Sequence, residues 1–272
     1  MKPMKKINGN GIIMLIGMVT MIFGGCQKIV NINLNDSNPR MVVEASISDQ
    51  MQVDTVKLSM SVNYDQSNTF PAVSGAKVTI SDNAGLVDTL TEIIPGNYIT
   101  PLMQGVPGRT YTLRIVANGK TYTSSSAMPQ PVPIDSLTLV VSYGRGGLRV
   151  RPQVTFSDPK GIVNYYRFAQ AINDSMLTNL TVVSDEYKDG MVLTQELSAR
   201  KNDGTSIFSG DSIRVDLQSI DYGAYTYFRT FNTITRGGGQ NASPANPISN
   251  IDNYALGYFS AYSVRSKYLV VP

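Results

Sequence analysis

Histidine and tryptophan do not occur in this chain of 272 residues, cysteine occurs once, and only four glutamates are present. Without imidazole there is no ordinary Ser-His-Asp hydrolase, no histidine zinc site and no Cys-His nucleophile. What chemistry remains must come from carboxylates, lysine or tyrosine. Sugar platforms usually lean on exposed tryptophan, so a pool of fifteen tyrosines and eight phenylalanines weighs against a carbohydrate binder and toward a protein partner. An excess of either charge is also missing. The formal charge of +3 comes from 23 basic and 20 acidic residues, and Lys2, Lys5 and Lys6 account for the whole difference. A chain without those lysines is neutral and has no field with which to gather phosphate, so nucleic acid is not an expected partner.

The three lysines open a recognisable layout. An apolar stretch from Ile12 to Phe23, too short to span a bilayer, leads into Gly24-Gly25 and then to the single Cys26. Basic start, apolar centre and small-residue end are the parts of a secretory signal. A cysteine directly after the small pair resembles the acylation site of a bacterial lipoprotein. The expectation is that residues 1–25 are removed and that Cys26 carries palmitate-type acyl chains. Each buried methylene contributes about 0.8 kcal/mol, so more than one chain holds the protein stably on a membrane. The alternatives are a plain signal peptide or a marginal anchor with an idle cysteine.

From 26 to 39 the chain is polar and Asn-rich and reads as a tether whose Ile29–Ile32 portion is able to pair with a sheet. From Arg40 the period becomes two. "VDTVKLSMSV" alternates apolar and polar positions, "AKVTISDNAGLVDTL" reads as two strands around a turn at 82–85, and "RTYTLRIVANGKTYTSSS" is a hairpin turning at Asn118-Gly119. Residues 40–128 are therefore expected to form an antiparallel sandwich of the immunoglobulin type. Prolines at 129, 131 and 133 set an extended linker over 129–134. Residues 135–272 resume strand patterning as a second, mainly-β domain. Its one helix is expected within "DYGAYTYFRTFNTITRGGG", with Asp221 as N-cap, Tyr222, Tyr225, Phe228 and Phe231 as the packing stripe, and a glycine stop after Arg236. "ALGYFSAYSVRSKYLVV" is expected to close the chain as a hairpin.

Taken in order, "RMVVEASIS", "VSGAKVTISD", "GVPGRTYTLRIVANGKTYTSSSAMPQPVPIDSL", "FSDPKGIVNYYRF", "GDSIRVDLQSID", "SPANPISNI" and "ALGYFSAYSV" resemble the Bacteroidota lipoproteins grouped as domain of unknown function 4249. The resemblance implies an outer-membrane lipoprotein with an N-terminal immunoglobulin-like or carboxypeptidase-regulatory-like sandwich. It also implies a neighbourhood with a TonB-dependent transporter, and no enzymatic activity or cofactor. Both faces of the outer membrane stay open.

Among candidate sites, Asp-Ser/Thr-apolar triplets place possible O-glycosylation at Thr55, Thr89, Ser136, Ser175 and Ser212, where composition alone gives roughly one such triplet. Such triplets also suit the start of a strand. "SDEYKDG" brings Asp185, Glu186 and Asp189 together, but a glycosidase needs two carboxyls converging at a set separation, and the run reads as a solvated loop. "RKNDGTS" around Asn202 and Asp203 lacks the alternating oxygen ligands of a calcium loop. "GRGG" and "RGGGQ" are not phosphate loops, since neither joins a buried strand to a helix. No catalytic, metal or cofactor residue is expected. The function that fits is a noncatalytic accessory lipoprotein docking with a transporter. The alternative is a glycan- or peptide-binding module that supplies it, and a carboxylate glycosidase ranks behind both.

Overall fold

A computed structural model of the chain describes residues 38–63, 69–144, 147–198, 200–236 and 246–272. Cys26 and the tether through residue 37 lie outside the described residues. The first half carries β1 (Met41–Ser48), β2 (Thr55–Met60), β3 (Lys77–Asp82), β4 (Val87–Thr89), β5 (Thr91–Ile94), β6 (Asn97–Ile99), β7 (Thr110–Ala117) and β8 (Lys120–Ala127). The second carries β9 (Ser136–Gly144), β10 (Gly147–Ser157), β11 (Tyr165–Ile172), β12 (Ser175–Met176), β13 (Thr181–Ser184), β14 (Val192–Glu196) and β15 (Ser212–Ile220). The helix α1 (Tyr222–Arg236) and the long strand β16 (Leu256–Val270) complete it.

The fold is all-β and mainly antiparallel. One large sheet runs β12-β11-β15-β16-β1-β2-β6-β5, with β13 pairing on β11, and two smaller sheets run β4-β3-β7-β8 and β14-β10-β9. Each small sheet covers part of the large one. Strand alternation explains how. Val43, Ala45 and Ile47 of β1 and Val56 and Leu58 of β2 point inward against Val78 and Ile80 of β3 and Leu113 and Ile115 of β7. The outward positions of those strands are polar or half-exposed. The second core joins Val154 and Phe156 of β10 to Tyr166 and Phe168 of β11 and Val215 and Leu217 of β15. Fully burying one such side chain contributes about 1.5–3 kcal/mol. The proline-spaced stretch is packed as well, with Val132 and Ile134 buried in the second core and Lys267 Nζ donating to the carbonyls of Ile134 and Asp135.

The C-terminal stretch is not a hairpin. It is one 15-residue strand, and "YFSAYSVRSKYLV" contains no glycine, proline or asparagine to turn it. Over Leu256–Tyr262, β16 pairs parallel with β1; from Ser263 onward it pairs antiparallel with β15. Ile251, Ala255, Phe259 and Ala261 accordingly sit in the first core, while Val271 and Leu269 pack in the second. The segment leading into β16 also covers the edge of β8. Asp252 accepts hydrogen bonds from Thr123 N at 2.6 Å and Thr123 Oγ1 at 2.5 Å, Asp252 N donates to Thr123 O, and Ser124 Oγ donates to Asn250 O. These side chains stand in for the missing strand neighbour.

The helix begins as its sequence predicts, with Asp221 Oδ1 accepting from Ala224 N at 2.9 Å. Its packing stripe is narrower than expected. Ala224, Tyr225 and Phe228 are buried, whereas Tyr222 is 65 % and Phe231 39 % exposed. Steps of three residues fall about 60° short of a full turn each, so a run of four sweeps around the helix and its ends leave the buried face.

Candidate functional site

Two loops and the start of α1 enclose a cleft of about 690 Å³ on the large sheet. Its wall is built by β11 and the helix. Tyr165, the first residue of β11, stacks on Tyr225 with ring centroids 4.7 Å apart and meets Tyr222 at 5.6 Å, tilted by 53°. Its mouth is apolar: Ile162 is 61 %, Val163 68 % and Tyr187 92 % exposed, and all three line the cleft with Tyr222. Tyr187 is held at φ +67°, a conformation that bulky residues rarely take.

Beneath the mouth lie carboxylates. The loop after β10 supplies Asp158 and the loop after β13 supplies Asp185 and Asp189, with one oxygen of each within 4.8 Å of the others. Asp158 accepts from Tyr166 OH at 2.5 Å and from Gly190 N at 2.9 Å. Asp185 accepts from Asn164 N at 2.9 Å, and Asp189 from Gly161 N at 2.7 Å. The turns that allow this need glycine: Gly190 has φ +70°, and a Cβ there would come 2.8 Å from Lys160 Cβ. Burial raises the Asp185 pKa above its ordinary value, and the charges of Asp158 and Asp189 add to the rise against the Asn164 hydrogen bond. Burial likewise raises the Tyr166 phenol, followed by its bond to Asp158, and the Tyr165 phenol, followed by neighbouring phenols and carboxylates. Glu186 and Arg229, both exposed, complete the charged lining.

The expected solvated acidic loop is thus only partly so. Asp185 is 3 % exposed and is joined by Asp158, also buried. Asp158 was not legible as a site residue, because nothing local in "FSDPKG" shows that its loop folds against the 185–190 loop. Four of the six oxygens of the three aspartates already accept a protein hydrogen bond. One oxygen from each aspartate gives three ligands, where calcium takes about six to eight.

The other expected positions fall elsewhere. Thr55, Ser136, Ser175 and Ser212 open β2, β9, β12 and β15, and Thr89 ends β4. Thr55, Thr89, Ser175 and Ser212 are exposed and Ser136 is half-buried. Asn202 and Asp203 serve a turn, Asn202 binding Thr178 and the Met176 carbonyl and Asp203 accepting from Thr205. A second, polar groove of about 220 Å³, missed by sequence reasoning, crosses the large sheet between Gln50, Gln52, Asp216, Gln218, Tyr262 and Tyr268. Its residues come from β15, β16 and the turn after β1, and only the long β16 brings them together.

Among the described residues, no helix is long and apolar enough to cross a membrane. No curated protein matches the sequence. Among solved structures, a two-fibronectin-type-III segment of chicken tenascin aligns at 13 % identity, covering 86 % of this chain and 100 % of that one, with a TM-score of 0.23. A cytokine receptor complex aligns at 8 % identity over 85 % and 95 % of the two chains, with a TM-score of 0.26. The Yersinia pseudotuberculosis adhesin InvE aligns at 17 % identity over 68 % and 56 %, with a TM-score of 0.22. A family profile matches residues 27–268, nearly everything after the basic-apolar start, and the chain belongs to that family, the domain of unknown function DUF4249.

Proposed function

We propose that the protein is a noncatalytic lipoprotein of a Bacteroidota outer membrane, anchored through Cys26, that docks with a TonB-dependent transporter. The observation that carries the docking reading is the apolar mouth of the cleft, where Ile162, Val163, Tyr187 and Tyr222 are each more than 60 % exposed side by side. Exposed apolar groups gathered at a cleft with a polar rim mark protein contact surfaces. The noncatalytic reading is supported by the carboxylates: Asp158, Asp185 and Asp189 each hold a loop by a hydrogen bond. A photo-crosslinking amino acid at Tyr187, introduced in the native host, should yield an adduct whose partner is identified by mass spectrometry as a TonB-dependent transporter. The same probe at the exposed Lys120 should not. No adduct, or the same adduct from both positions, would refute docking at this cleft. For the anchor, metabolic labelling with an alkyne palmitate analogue should mark the wild type and not Cys26→Ser.

A second reading, a glycan-binding module feeding the transporter, is favoured by the polar groove. Its three glutamines, Asp216 and two tyrosines supply amide, carboxylate and phenol groups of the kind that hydrogen-bond sugar hydroxyls. Binding on a glycan array that is lost in Gln218→Ala would establish it. The exposed hydroxyls of Thr55, Thr89, Ser175 and Ser212 are the proposed O-glycosylation acceptors, and a native polypeptide mass equal to that from a host without the glycosylation system would remove them.

A further inference from the structure

Resting on the docking reading, we infer that the cleft takes the ammonium group of a lysine side chain presented by the protein partner. The lining is electrostatically one-sided: Asp185, Glu186 and Asp189 face a single guanidinium, that of Arg229. A cation is the complement. Aromatic faces attract cations through the ring quadrupole, and the Tyr165, Tyr222 and Tyr225 rings form one wall of the same space.

The arrangement also selects among cations. A guanidinium prefers both oxygens of one carboxylate in a planar fork. Asp185 and Asp189 each have one oxygen accepting from a backbone N–H, and an oxygen of one lies within 4.8 Å of an oxygen of the other. A compact ammonium with three diverging donors fits that set better than a fork. The four methylenes of a lysine would lie along Ile162, Val163 and the tyrosine faces, which accounts for apolar side chains beside acidic ones in one cleft.

The test uses the full mature chain in detergent, carbon-13-labelled at tyrosine, titrated with n-butylammonium and separately with n-butanol at neutral pH. Saturable shifts of the Tyr165, Tyr222 and Tyr225 ring signals with butylammonium only are expected. Affinity should fall about tenfold in Asp189→Asn and in Asp185→Asn, a loss equivalent to about 1.4 kcal/mol. Both variants keep an oxygen for the loop N–H, and a melting temperature no lower than that of the wild type verifies that the fold is intact. Equal shifts with butanol, or none with either, would overturn the inference. The Tyr187 cross-link separates the two proposals. An adduct that persists undiminished in the Asp185→Asn, Asp189→Asn double variant leaves docking standing and removes the lysine contact. Butylammonium binding without any adduct in the wild type overturns the protein source of the ammonium together with docking.

Discussion

At Gly257 the backbone of β16 comes against β1 so closely that a Cβ would stand 1.8 Å from the Val43 carbonyl oxygen, and φ there is +95°. Neither the space nor the dihedral admits a side chain. Gly257→Ala is therefore expected to lose about 3 kcal/mol or more, read as a large fall in melting temperature and soluble yield. A variant that melts with the wild type would refute the contact. Asp211 offers a pH test. The Phe208 N–H, then Lys201 and Asn173, hold its carboxyl down to about 2 from the ordinary 3.8. A depressed folded value means that the stabilisation is present above about pH 4 and is lost as pH falls toward about 2. The stability gap between wild type and Asp211→Ala should close over that window in acid denaturation followed by circular dichroism. Asp185, raised instead of lowered, acts with the opposite sign: its contribution is greatest in acid and falls as pH climbs past 3.8.

At the scale of elements, α1 is held by its cap and by the buried rings of Tyr225 and Phe228. Asp221→Ala should cost about 1 kcal/mol through loss of the Ala224 hydrogen bond. Phe228→Ala should cost about 3 kcal/mol, since that ring is 6 % exposed, lies 4.7 Å from Tyr258 and carries Arg167 over its face at 4.5 Å. Thermal melts of the two variants should rank in that order. The start of the helix and the β7–β8 hairpin were legible because their signals are local: a capping aspartate, and Asn118-Gly119 at φ +51° and +72°; the glycines after Arg236 lie outside the described residues. β16 was misread as a hairpin because pairing partners are not written in a strand's own alternation. Whether a strand turns back or runs on between two neighbours depends on β1 and β15, both distant in sequence. The cleft was half legible for the same reason. Asp185, Glu186 and Asp189 are adjacent and visible, while Asp158 and the tyrosines reach them only through tertiary packing.

The described residues form two sandwiches sharing one continuous sheet, and the shared strand has a consequence for how the chain is made. β1 cannot complete its pairing until residues 256–262 exist, and β15 cannot complete its own until residues 263–270 exist. Closing such a long loop delays folding until late. A ribosome that has released everything before residue 256 therefore holds a chain in which β1 and β15 each lack a neighbour, so the two cores are sealed only by the last strand to emerge.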